Sequence, residues 1–579
     1  MKIKNIILSV FGAATASLSL SSCSDFLEVE PQNEIILEKF WNEKADVDGI
    51  IGGCYSGLQE NNTMLRMMLW GEFRSDNISR GQNLDKDINI EHILKENLTA
   101  SNYYTTWDWF YNIINRCNTV IKYAPGVAEK DPAFSESELR ADIAEVTALR
   151  SLCYFYLIRT FRNVPYSTVA FTDDDQEMDL PATSFDVVLD SLINDLERVK
   201  DDAVEKYPAT TSTQKLYQTG RITKLAIEAM LCEMYLWKKD YQNCIKYADI
   251  VIAEKNKQRK EEENSGDISL STYDDQRTNG FPLIPCSFTY TNTTYGNAYN
   301  EIFGIGNSSE SIFELTFMND ENMMSNGAVS LCYGNTKNSG IMGYASTSSF
   351  IIDDIPSKVF SVYANKYDCR AYENFTSGSV IGKYAHTYSI VSFASSDGTS
   401  ILSGWFAENK VKTNWIIYRL SDIMLLKAEA LCQLIGNGET FTEQDQKYCD
   451  EAFYIVNAIN KRSICQQTSQ MKDTLVASQY NTKESIEELV MQERQRELMF
   501  EGKRYYDLVR RSLRDGNTDY LSNKVLQKFT ANTSAIQDKF KRMDAIFWPY
   551  NVDELKVNKN LTQNPAFGSG ESGSYEKND

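Results

Sequence analysis

Glu493, Arg494, Arg496, Glu497, Glu501, Arg504 and Asp507 crowd one helical stretch beside Leu498, Phe500 and Leu508. Two carboxylates flanking a cleft, one of them held protonated, would suit hydrolysis of a glycosidic bond. The interleaved arginines point elsewhere, because a neighbouring guanidinium lowers a carboxylate pKa instead of raising it. The pattern reads as an ion-pair network joining helices through bidentate Arg–carboxylate contacts. No catalytic residue is assigned. His92 and His386 are the only histidines; they lie far apart and in no zinc-binding frame, and His92 reads as structural. No nucleophile elbow, P-loop, dinucleotide fingerprint or EF-hand loop is present, so neither a metal nor a cofactor is expected.

The tyrosines suggest a different chemistry. There are 33 of them, more than the 27 phenylalanines, in a chain of net charge −21. That charge argues against nucleic acid, whose phosphates need a basic surface. It argues equally against adhesion to anionic lipid headgroups. A sugar ring offers an apolar C–H face, which an exposed aromatic ring covers, and hydroxyls, which Asn, Asp and Arg answer with hydrogen bonds. Candidates for such contacts lie in polar segments: Arg74, Asp76 and Asn77 in one, Asn102, Tyr103 and Tyr104 in the next. Further candidates are Tyr290, Tyr295, Tyr299 and Tyr333, in an Asn/Ser/Thr/Gly-rich stretch, and Trp405 in the loop-like Leu402–Ala407. Trp107, Trp109 and Tyr111 open a helix and read as core.

The chain opens with Lys2 and Lys4, an apolar stretch and small residues, ending Leu20-Ser-Ser-Cys23. This is a secretory signal peptide of residues 1–22 closed by a lipobox, with Cys23 as the acylated residue. Several acyl chains anchor stably where one is marginal. No other segment approaches a membrane span. The expected product, residues 23–579, is a body attached to a membrane by its lipid alone. Of twelve cysteines, eleven remain after Cys23. No C-x-x-C pair occurs, and Cys153, Cys232, Cys244 and Cys432 sit among apolar residues as small hydrophobes.

Helices must carry these groups. Val146, Leu149, Cys153 and Leu157 step by three and four through Glu145–Phe161. Leu225, Ala229, Cys232 and Leu236 do the same, Lys238-Lys239-Asp240 interrupts, and Cys244, Ile245, Ala248 and Ile252 resume. That unit has the period of a tetratricopeptide hairpin. Leu420–Ile435, Glu451–Lys461 and Ser485–Arg511 add helices, and Ser311–Phe317 alternates like a strand. Three parts of one domain follow: a helical half to about residue 260, an irregular Tyr/Asn/Ser-rich region over about 261–410, and a helical remainder over about 411–579.

Several blocks resemble the SusD/RagB family of nutrient-binding lipoproteins. They are Cys23–Gln32, Glu145–Pro165 with Asn163 where a glycine is common, Gly220–Ala226, Tyr418–Ala430, Gln492–Arg510, and Trp548–Leu555 with Asn560–Pro565. They span nearly the whole mature chain in the family order. The resemblance implies a mostly α-helical fold of about four tetratricopeptide-like hairpins with a loop-rich, small-strand ligand face. It implies an outer-membrane, cell-surface lipoprotein of a Gram-negative cell, seated over a SusC-like TonB-dependent barrel. The implied task is capture of oligosaccharide for import, or of peptide in a RagB-like variant. A surface hydrolase and a purely structural scaffold are the competing readings.

Overall fold

A computed structural model describes residues 40–568 except 174, 209, 266–274, 287–296, 318–325, 335–342, 353–361, 364, 366–367, 376–378, 386–387, 394–400, 407–412, 439 and 465–474. The leader and Cys23, with Tyr290, Tyr295 and His386, lie outside the described residues.

The apolar periodicities become helices. In the first half these are α1 (Lys44–Gln59), α2 (Asn61–Met68), α3 (Ile88–Leu94), α4 (Asp108–Lys130), α5 (Glu136–Phe161), α6 (Phe185–Val199), α7 (Ser212–Gly220), α8 (Lys224–Trp237) and α9 (Tyr241–Ser265). Short connections make successive helices antiparallel neighbours, α4 against α5 and α8 against α9. Caps set their starts: Ser135 and Glu138 form a capping box on α5, and the Thr223 hydroxyl accepts from the Ala226 amide on α8. Lys239, at φ 65°, turns the chain between α8 and α9. From Ala144 to Phe161 every residue of α5 is buried, so this helix is the central post of the core.

The middle of the chain contributes small pieces, among them a short helix α10 (Gly327–Cys332) and strands of three of the four two-stranded ribbons among the described residues. Strand β1 (Ile78–Arg80) pairs with β3 (Ala345–Thr347), β2 (Ser311–Leu315) with β6 (Trp415–Arg419), and β4 (Tyr388–Phe393) with β5 (Ile401–Phe406). Trp405, expected in a loop, sits instead in β5 opposite Ser389, because the residues around it pair as a hairpin.

The last part returns to helices: α11 (Leu420–Leu434), α12 (Glu443–Ser463), α13 (Lys483–Leu498) and α14 (Arg504–Asp515). The face of α11 carrying Met424, Ala428 and Leu431 packs with Ile455 and Ile459 of α12 and Ile486 and Val490 of α13 into a second core cluster. The Ser485–Arg511 helix expected from periodicity is two helices. Phe500 and Gly502 adopt φ values of 67° and 71°, which break it between α13 and α14. The break is held from outside: the buried Glu72 carboxylate accepts from the amides of Phe500, Gly502, Lys503 and Arg504 at 3.1–3.4 Å. Such a ring of N–H donors is an anion cradle. Gly71 touches the same turn so closely that a Cβ there would stand 1.8 Å from the Gly502 carbonyl oxygen.

The C-terminal block closes the helical array. The Trp548 amide donates to the Thr160 carbonyl at 2.8 Å, and the Tyr550 hydroxyl to the Asn163 carbonyl at 2.7 Å. The described cysteines are buried free thiols. Among the described residues no helix is long and apolar enough to cross a membrane.

Candidate ligand-binding face

The segment between α3 and α4 turns through one 3₁₀ turn, Tyr103–Thr105, capped by the Asn102 side chain on the Tyr104 amide. Beneath it lies Arg66 of α2, fully buried in the apolar run Met64-Leu-Arg-Met-Met68. A buried guanidinium must spend its donors. Arg66 donates to the carbonyls of Thr106 at 2.8 Å, Asn62 at 3.0 Å and Tyr103 at 3.2 Å. Its planar group also stacks on the Tyr103 ring, 5.2 Å from the centroid. Asn89 of α3 accepts from the Tyr103 amide at 3.1 Å, and the Asn62 carbonyl oxygen of the side chain lies 3.4 Å from the Tyr103 hydroxyl. The ring is thereby held by Arg66, while the residue as a whole is 48% exposed. Ile88, beside Asn89, is 58% exposed, and Leu331 of α10, which packs on α2, is 37% exposed. An exposed aromatic ring with an asparagine side chain at its hydroxyl is a surface suited to a neutral polyhydroxy ligand.

Of the sequence candidates whose side chains are described, Tyr103 alone is exposed; the others belong to the interior. Tyr104, 4% exposed, donates to Asp87 at 2.6 Å, and burial followed by that carboxylate pushes its phenol well up. Asn102 donates to the Asn89 carbonyl at 2.9 Å. Tyr299 and Tyr333 donate to the carbonyls of Gly382 and Phe500, each at 2.9 Å. Arg74 grips Glu96 through two nitrogens at 3.0 and 2.9 Å and also donates to the Ala545 and Ile546 carbonyls. Asp76 accepts from Arg504 at 2.9 and 2.8 Å, and Gln495 donates to both Asp76 and Asn77. The polar run at 74–77 is a buried knot between the N-terminal half and α13–α14, so it cannot face a ligand. Nothing is described of the Trp405 side chain.

The charged cluster is paired throughout. Glu497 accepts from Arg370 at 2.9 Å, Arg419 at 2.6 Å and Arg462; Glu501 accepts from Arg419 at 2.7 Å and Lys383 at 2.6 Å. Glu493 meets Arg370 and Arg496, each at 2.7 Å, and Arg494 meets Asp507 at 2.9 Å and Asp422 at 3.1 Å. Burial alone would raise these acids. The guanidinium groups overcome it, holding Glu497 well below the usual carboxylate range and Asp507 at about 2. Neither of these two carboxylates is a proton donor near neutral pH. Among the described residues no three His, Cys, Asp or Glu side chains are placed to hold a metal ion.

Two family models match the chain: one described as starch-binding and associating with the outer membrane over residues 25–236, and the SusD family model over residues 271–567. The chain belongs to the SusD family. Members of this family generally bind glycans and pair with SusC-like transporters, and neither model describes a catalytic family. SusD-like protein P38 of Formosa agariphila is 26% identical over 98% of this chain and 100% of its own length. SusD-like protein P2 of the same organism is 24% identical over 94% of this chain and 97% of its own. A SusD superfamily crystal structure from Bacteroides vulgatus superposes with a TM-score of 0.61 at 17% identity, covering 91% of this chain and 100% of that one. One from Bacteroides thetaiotaomicron gives 0.59 at 21% identity, covering 91% and 99%. Within this SusD-family fold, Arg66, Asn62 and Asn89 complete the Tyr103 face and were not among the sequence candidates. The one available signal was an arginine inside the apolar run of α2.

Proposed function

We propose that this protein is a cell-surface lipoprotein, acylated at Cys23, that captures an oligosaccharide on the Tyr103 face and passes it to a SusC-like TonB-dependent barrel. The observation that carries the reading is the exposed Tyr103 ring, held by the buried Arg66. A platform held in place before the ligand arrives loses little entropy on binding. The lipobox supports anchorage, and the family's association with the outer membrane supports the location. The paired state of the Glu493–Asp507 cluster favours capture without turnover.

The test is a calorimetric titration of the secreted body, beginning at Ser24, with neutral oligosaccharides of differing linkage and with mixed peptides. Binding of one glycan class without release of reducing ends supports the proposal. Binding of peptides alone moves the protein to peptide import, and release of shortened sugar overturns the assignment as a non-enzyme.

A further inference from the structure

A cleft of about 650 Å³ opens between α1, the first turns of α5 and the chain from Val204 to Arg221. It is separate from the Tyr103 face, and none of its lining residues belongs to the charged cluster. Its charged groups are each tied to a partner, with one exception. Arg221 donates to both oxygens of Glu145, at 2.9 and 2.5 Å, and the Tyr55 hydroxyl donates to the same carboxylate at 2.5 Å. Lys44 donates to both oxygens of Asp48 at 2.9 Å. Glu138 is tied to Ser135 in the capping box of α5.

The exception is Asp142. It lines the cleft, it is 8% exposed, and its Oδ2 is shielded from solvent with no hydrogen-bond partner. A carboxylate placed this way is costly unless something pairs with it. Burial, only partly offset by Lys44, pushes its carboxyl up to about 7. The charges that face it are Lys44 and Asp48 from α1, Glu145 from its own helix and Arg221 from beyond α7. Both cations already hold other carboxylates, so the unmatched charge in the cleft is negative. Tyr217, 38% exposed, and the buried Tyr207 line the same space, with the Arg221 guanidinium between them at 5.7 and 4.8 Å from the ring centroids.

We propose that this cleft binds a ligand carrying a protonated amine, whose ammonium group pairs with Asp142 while its body lies along Tyr217 and Tyr207. A divalent cation fits less well, since hard cations take about six to eight oxygen ligands and Asp142 is the one carboxylate left without a partner. An ammonium group needs one such partner. The amine could be that of an amino sugar or of a lysine-bearing peptide, and the chemistry at Asp142 is the same for both. The inference does not rest on the Tyr103 face.

The experiment is calorimetry on the full-length protein in detergent with two probes, the β-1,4-linked glucosamine disaccharide and the dipeptide Lys-Lys, each against its N-acetylated form. We expect at least one free-amine probe to bind and its N-acetylated form to bind at least about tenfold more weakly, a difference of about 1.4 kcal/mol. Asp142→Asn should impose the same loss, and Lys-Lys, if it is the binder, should bind more tightly as pH rises from about 6 to about 8 and Asp142 ionises. The disaccharide binding alone names an amino sugar, and the dipeptide alone names a peptide. Silence from both probes overturns the inference, as does binding indifferent to N-acetylation or to Asp142→Asn. Asp142→Asn keeps the shape and removes an unpaired charge, so its melting temperature should not fall; Tyr217→Ala, at an exposed position, offers a second variant that should weaken the amine probe. Tyr103→Ala should leave amine binding intact, so failure here and failure of the glycan reading can be told apart.

Discussion

Tyr103 and Asp76 sit in polar segments that look alike in sequence and do opposite work. Tyr103 projects from its turn, whereas Asp76 is fully buried against Arg504. The difference is set by partners distant along the chain, Glu96, Gln495, Arg504 and the Ala545–Ile546 carbonyls, and no local pattern at 74–77 encodes them. The Glu493–Asp507 network was legible because its own alternating charges predict mutual pairing; its outside members Arg370, Lys383, Arg419 and Arg462 were not. Asp76→Ala should strand a buried guanidinium and cost about 3–5 kcal/mol in urea unfolding, whereas Tyr103→Ala should cost only about 0.5–1 kcal/mol, the worth of its exposed stack on Arg66. Acid provides a second check at this scale. Asp507 is depressed to about 2 from 3.8, so its contribution is complete above the unfolded value and disappears as pH falls through the folded one. Asp507→Asn should therefore flatten the loss of stability between pH 4 and pH 2, measured by chemical denaturation across that range.

The helices themselves were read correctly from three-and-four spacing, since an apolar stripe must face a core whatever that core contains. The hairpin of α8 and α9 and its break at Lys238–Asp240 are examples. The break between α13 and α14 was not legible. Glu-Leu-Met-Phe-Glu continues a helical pattern, and the cause of the turn is Glu72, far off in sequence, with Gly71 packed beneath. A methyl group at Gly71 would overlap the Gly502 backbone, which cannot withdraw without releasing the Glu72 cradle. Gly71→Ala should therefore destabilise by more than Gly516→Ala. The latter residue has φ 69° but open space around it, so it should lose only the left-handed penalty of about 1–2 kcal/mol. Paired thermal melts of the two variants decide this.

At the scale of the whole molecule, the described residues form a helical array joined by small ribbons and loops, a division of labour that suits the capture proposed above. Helical periodicity carries no information about which loop side chain stays outside, and that is why, of the eight ligand candidates whose side chains are described, one is exposed. The two proposed surfaces also differ in kind: Tyr103 offers an open aromatic ring, and the Asp142 cleft offers a recessed carboxylate. The central claim is that the Tyr103 face receives the glycan. It is tested most directly by calorimetry with the best-binding neutral oligosaccharide on three proteins: the native chain, Tyr103→Ala and Tyr333→Phe. The account predicts that loss of the exposed ring weakens binding by about tenfold, in line with about 0.5–1.5 kcal/mol for an aromatic contact beyond its buried area. It predicts no change for the buried Tyr333→Phe. A Tyr103→Ala protein that binds as tightly as the native chain would contradict it.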